Sequence, residues 1–196
     1  REVTICMPES VSAAKAKKLD RYSVGVIRHG DDPDETERYA RRLAEEKKGF
    51  YVSPYNNPEV ICGQGTMALE MFERVPKLST IVLAVGGGGL ASGVATVAKA
   101  INPSCRIVGV VAANSPTMQT AVQKGRIAPI VTQPTLADGI AGNIETETIT
   151  YPLVRELVDE WVQVDEAEFG PHHAANRRTH GGTRGPLVGR RTRAAG

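Results

Sequence analysis

Residues 80–101, TIVLAVGGGGLASGVATVAKAI, limit what the chain can become more than any other stretch. Residues 80–85 are almost continuously apolar, the pattern of a strand buried on both faces. Four consecutive glycines follow, and residues 90–101 then carry small and apolar side chains at helical spacing. A second apolar run, 106–111, comes directly after. A strand, a helix and a strand in this space form a parallel unit, because parallel strands need a crossover connection.

The same alternation runs through most of the chain. Strands are predicted over residues 3–7, 24–28, 50–53 and 161–164. Helices are predicted over 10–20, with Ser10 or Ser12 as cap, over 32–49, from about Gly65 to 75, over 116–124 and over 149–159. The helix over 32–49 has an acidic first turn, a basic last turn and Gly49 as its stop. The expected class is α/β: a doubly wound, mostly parallel sheet with helices on both faces. A strand pattern that begins two residues after Arg1 predicts further sequence upstream.

Charge divides the chain. Residues 170–196 hold six arginines and no acid, which leaves 18 basic against 22 acidic residues, a net −4, in 1–169. The segment GPHHAANRRTHGGTRGPLVGRRTRAAG has neither helical nor strand periodicity and too few apolar groups to offset its ordering entropy. Residues 1–169 are therefore expected to form the folded region, and 170–196 an Arg/Gly-rich tail that is disordered in solution. With no aromatic side chain after Phe169 to stack on bases, the tail argues against nucleic acid as a partner. Three isolated cysteines, Cys6, Cys62 and Cys105, read as free thiols of a reducing compartment. No apolar run approaches a membrane span, and no signal-peptide pattern is present.

The glycines 86–89 lie where a doubly wound sheet places its ligands, at the carboxyl end of a strand. Backbone N–H groups without side chains can converge on one anion, and the next helix adds its N-terminal donors. That makes a phosphate cradle. A tight strand-to-helix turn with close packing is the competing reading. No Lys-Ser or Lys-Thr follows, so this is not the nucleotide-triphosphate loop. The turn also follows a late strand rather than the first, which argues against a dinucleotide fold.

Four stretches then carry a resemblance: MPES (7–10), GQGT (63–66), GGGGL (86–90) and LADGIAG (136–142). Over about residues 3–169 the chain resembles the middle section of the threonine/serine dehydratases and serine racemases, pyridoxal-phosphate enzymes of fold type II, whose fold is like that of the tryptophan synthase β subunit. The resemblance implies that Gly86, Gly87, Gly88, Gly89 and Leu90 bind the phosphate of pyridoxal 5′-phosphate, and that Asp138 and Gly139 lie beside its ring. Four glycines favour the dehydratase branch over cysteine-synthase-like relatives. The resemblance implies a small amino acid substrate, a homo-oligomer, a cytoplasmic compartment and no membrane partner.

The family's Schiff-base lysine and its Ser-x-Gly-Asn-His segment have no counterpart in this sequence. None of the eight lysines, Lys15, Lys17, Lys18, Lys47, Lys48, Lys77, Lys99 and Lys124, has the family context, and most fall on charged helix faces. No catalytic residue is therefore assigned, and the isolated chain is expected to be inactive. The family's C-terminal continuation is replaced at Gly170 by the arginine-rich tail, as a shifted reading frame or a foreign extension would do. Translation of the adjoining frames tests this, and the absence of family-like sequence in both would refute it. Some relatives bind a divalent cation near residues that correspond to Val111 and Thr117. Neither supplies a carboxylate, so no metal is expected there. His172, His173 and His180 read as solvated. A non-catalytic binding or oligomerisation module and a serine racemase-type activity are the alternative functions.

Overall fold

A computed structural model describes residues 2–11 and 13–169. Eleven elements follow one another: β1 (Thr4–Met7), α1 (Ala13–Leu19), β2 (Gly25–Arg28), α2 (Pro33–Glu46), α3 (Pro58–Arg74), β3 (Thr80–Ala84), α4 (Gly89–Ile101), β4 (Arg106–Ala112), α5 (Thr117–Lys124), α6 (Thr150–Leu157) and β5 (Glu160–Val164). All strand pairs are parallel. They form one sheet of β1 and β2 and a second in the order β3-β4-β5. The tail, the capping role considered for Ser12 and the three histidines at 172, 173 and 180 lie outside the described residues.

β4 lies between two neighbours, and every residue of it except Arg106 is buried. The sheet advances from β3 to β5 in sequence order, so right-handed crossovers place their helices on one face. On that face Ile81, Leu83, Ile107 and Val111 pack against Ala91, Val94, Ala95 and Ala98 of α4 and Val154 of α6. The opposite face is covered at its carboxyl end by Ala137, Ile140 and Phe169, which pack on Val110, Ala112 and Val164. Val82 and Val162, further down that face, stay half exposed.

α3 and α4 lie close enough that glycine is required at their crossing. A Cβ on Gly93 would run into the carbonyl of Ile61 and the amide of Gly65, and one on Gly65 would sit 3.2 Å from the Gly93 carbonyl. The GQGT stretch is thus a helix–helix contact.

Four sequence expectations need correction. Residues 50–53 are not a strand: Phe50 is 83% exposed and Val52 60%, and no strand among the described residues pairs with them. Ser53 instead organises a turn, its Oγ accepting from the amide of Asn56 at 2.9 Å. α3 starts at Pro58 and not near Gly65, because Asn57 caps it, Oδ1 accepting from the Val60 amide at 2.9 Å, with Pro58 in the first turn. α2 ends at Glu46, and its left-handed residue is Lys48 (φ 51°) rather than Gly49. Ser10 does not cap α1; its hydroxyl donates to the Asp31 carbonyl at 3.0 Å.

Candidate cofactor site

β3 makes its last ladder bond from the amide of Val85 to the carbonyl of Val110, at 2.8 Å. The chain then turns through the glycines into α4. Gly88 is the N-cap at φ 86°, a conformation that penalises any side chain, and its carbonyl accepts the first helical bond, from Ser92. The carbonyl of Gly87 accepts from Thr150 Oγ1 at 2.6 Å. The amides of Gly86, Gly87, Gly88, Gly89 and Leu90 donate to no acceptor among the described residues. Gly88 and Gly89 are buried and the other three half-buried.

Buried amides without partners are rare. Five in sequence at a strand's carboxyl end form a donor set suited to an anion. The competing reading of tight packing is also correct, because the two uses involve different atoms. A Cβ on Gly86 would come within 2.9 Å of the Ile140 Cα, one on Gly89 within 2.9 Å of the Tyr55 Cα, and one on Gly87 into the Tyr55 ring. The α-carbons pack against Tyr55 and Ile140, while the amides remain unpaired. The loop therefore fits a phosphate in its donor chemistry, and four of its five donors carry no side chain.

Asp138 and Gly139 belong to a turn closed by the Ile140 amide on the Ala137 carbonyl, at 3.0 Å. Both are exposed, and Gly139 faces open space. The turn meets the glycines through Ile140. The Asp138 carboxylate pairs with Lys15 Nζ at 2.8 Å, so one lysine assigned to a solvated helix face reaches this stretch. Val111 is buried in the core, and the Thr117 hydroxyl donates to the Gly142 carbonyl at 2.8 Å.

A network behind Tyr55 was not legible in the sequence. The Tyr55 hydroxyl donates to Glu37 Oε2 at 3.1 Å and accepts from the Glu145 amide at 2.9 Å. Both Glu145 oxygens accept from Arg41 Nη2, at 3.0 and 3.1 Å, and Oε2 also accepts from Asn56 Nδ2. The Arg41 guanidinium lies 4.7 Å from the centre of the Tyr51 ring. Burial pushes the Glu37 carboxyl up to about 7, with the charges of Glu145 and Asp34 adding to it, against the Tyr55 hydrogen bond and Arg41. Burial and the Glu37 charge raise Tyr55 as well. Glu145 lies 90 residues from Tyr55 and 104 from Arg41, so no local pattern could have joined them. The only sequence signal was the aromatic residue in PYNNP, just ahead of the α3 cap.

The sequence pattern shared by pyridoxal-phosphate dependent enzymes matches residues 2–170 of this chain. The chain belongs to that family. It is similar to an L-threonine ammonia-lyase of Thermotoga maritima, with 40% identity over 166 residues, 85% of this chain and 41% of that protein. It is similar to a serine racemase of Oryza sativa subsp. indica, with 37% identity over 162 residues, 83% of this chain and 47% of that protein. Among solved structures, maize serine racemase superposes with a TM-score of 0.80 and 32% identity over 90% of this chain and 53% of that one. The chain thus spans about half the length of the relatives it matches. The parallel sheets and helices described above match fold type II of this pyridoxal-phosphate enzyme family. No helix among the described residues is long and apolar enough to cross a membrane.

Proposed function

We propose that the protein to which this chain belongs is a pyridoxal-phosphate dependent L-threonine/L-serine dehydratase, converting a β-hydroxy amino acid to a 2-oxo acid and ammonia. The run of unpaired amides from Gly86 to Leu90 carries this reading, in a chain 40% identical to a threonine ammonia-lyase. When bound, pyridoxal phosphate supplies an electron sink for charge developing at the substrate α-carbon. The amides of Gly86, Gly87, Gly88, Gly89 and Leu90 hold its phosphate. The turn carrying Asp138 and Gly139 borders the ring, since Ile140 of that turn abuts Gly86. Tyr55, held by Glu37 and Glu145, keeps its ring on Gly87 and fixes one wall.

These residues bind and orient, and none is placed to bond the cofactor aldehyde. The 196-residue chain alone is therefore expected to take up the cofactor weakly and to turn nothing over. Incubation with pyridoxal phosphate and borohydride, followed by peptide mapping, tests this. A specific adduct on Lys15 or any other lysine, together with deamination of L-threonine, would overturn it. The serine racemase similarity, at 37% identity, supports a second reading. The full-length protein given L-serine separates the two: a 2-oxo acid marks the dehydratase and D-serine the racemase. A homo-oligomer is part of the proposal, supported by the half-exposed apolar Val82 and Val162 on the sheet face, and so is a cytoplasmic compartment. The non-catalytic alternative predicts that this chain joins a full-length relative in a mixed oligomer, seen as a heteromeric peak. Residues 1–169 as the family region and 170–196 as an unrelated basic tail complete the proposal.

A further inference from the structure

We propose that Thr150 is a positioning residue that aims the Gly88 amide at the cofactor phosphate. This rests on the reading of the glycine loop as the phosphate site. Four glycines in a row give donors without side chains but also a backbone free to rotate, since each peptide plane between glycines can turn at little cost. A loop that must present amides in one direction needs something to hold its planes. Thr150, at the start of α6 and fully buried, lies 63 residues from the loop and donates from Oγ1 to the Gly87 carbonyl at 2.6 Å.

The direction of this bond follows from counting protons. The Thr148 Oγ1 accepts from the Thr150 amide at 3.3 Å and lies 2.8 Å from Thr150 Oγ1. Thr150 has one hydroxyl proton, and the Gly87 carbonyl can only accept, so that proton goes to Gly87. The Thr148 hydroxyl then donates to Thr150. The relay runs from Thr148 through Thr150 to Gly87.

The peptide between Gly87 and Gly88 is trans and planar, so its C=O and N–H point in opposite directions. With the carbonyl drawn towards α6, the Gly88 amide must face away from it. Gly88 is seated at the same time: a Cβ there would lie 3.0–3.1 Å from Met118, Val154 and Thr150 itself. Without the hydroxyl, the Gly87 carbonyl would be half-buried and unpaired. The cheapest remedy is a flip of the peptide plane, which takes the Gly88 amide out of the donor set.

The experiment is an amide NMR titration of the ¹⁵N-labelled 196-residue chain with pyridoxine 5′-phosphate, which carries ring and phosphate but no aldehyde to react with surface lysines. In the wild-type chain the amides of Gly86 to Leu90 are expected to shift saturably, Gly88 among them. Thr150→Val keeps the shape and removes the donor, and binding should weaken by roughly tenfold or more, with loss of the Gly88 shift. Thr150→Ser restores the hydroxyl and should bind within about threefold of wild type, a rescue that a purely space-filling role would not give. Wild-type binding with T150V equal to it within twofold, on an otherwise native spectrum, overturns the role of Thr150 and leaves the phosphate reading standing. No shift at residues 86–90 in the wild-type chain overturns the phosphate reading and this inference with it. Should T150V not fold, Thr148→Ala removes the upstream donor: weaker binding restored by Thr148→Ser supports the relay, and unchanged binding overturns it.

Discussion

Glu37 is the acidic residue of α2 whose chemistry departs furthest from that of a solvated carboxylate. Its carboxyl is raised from 4.5 to about 7, first by burial, so the folded protein holds a proton there that the unfolded chain has released. The folded state binds more protons between these two values. Stability therefore falls as pH rises from about 4.5 to about 7 and levels off above, by an amount on the order of 2–3 kcal/mol. Glu37→Gln keeps a neutral acceptor for the Tyr55 hydroxyl and cannot ionise. Urea unfolding at pH 5 and pH 8 should show the variant losing less stability over that interval than the wild type, by about that amount. A variant that loses as much as wild type would mean that another group carries the dependence. Nothing in PDETERYARR singles out Glu37 from Glu35 or Asp34. What distinguishes it is first its burial against Tyr55, whose hydroxyl it accepts from, a contact brought by the fold.

The helix pair α3 and α4 shows how far local sequence reaches at the level of an element. The Asp32-Pro33 cap of α2 and the apolar periodicities are local signals that locate helices, and the Asn57-Pro58 cap is one that the expected start near Gly65 overlooked. The close approach of the two helices is not local. Gly65 and Gly93 look like poor helix residues, and only the crossing explains them. Gly93→Ala should gain about 1 kcal/mol of helix propensity and meet backbone atoms that cannot rotate away. Overpacking commonly costs 1–3 kcal/mol, and rigid neighbours place this site at the top of that range, so a net loss of about 2 kcal/mol is expected. Denaturant titration measures it; a stability gain would show that the helices can separate freely. The strand expected over 50–53 failed for the converse reason: its residues suit a strand, but pairing needs a partner edge, and none among the described residues reaches it.

Over the whole molecule, burial is uneven. The main core draws its buried residues from Ala68 to Val154, on α3, β3, α4, β4, α5, α6 and the segments that carry Val85, Cys105 and Ile144, whereas Met7 is the one buried residue of β1 and β2. Amides in sparsely buried sheets open by local fluctuation, while those under a full core open only with global unfolding. Hydrogen exchange should therefore show β4 as the slowest element and β1 and β2 exchanging faster by a factor of about ten or more. Equal protection in both sheets would contradict this picture. The sequence alone determined the α/β alternation, the parallel pairing, the glycine turn and the family, because apolar period, turn chemistry and motif order are written within short windows. Only the tertiary structure decided that the glycine α-carbons pack on Tyr55 and Ile140 while their amides meet no acceptor among the described residues, that Thr150 draws in the Gly87 carbonyl, and that burial raises the Glu37 carboxyl. Those outcomes depend on groups 18 to 90 residues apart meeting at one strand end, where distance in space, not along the chain, sets the energy.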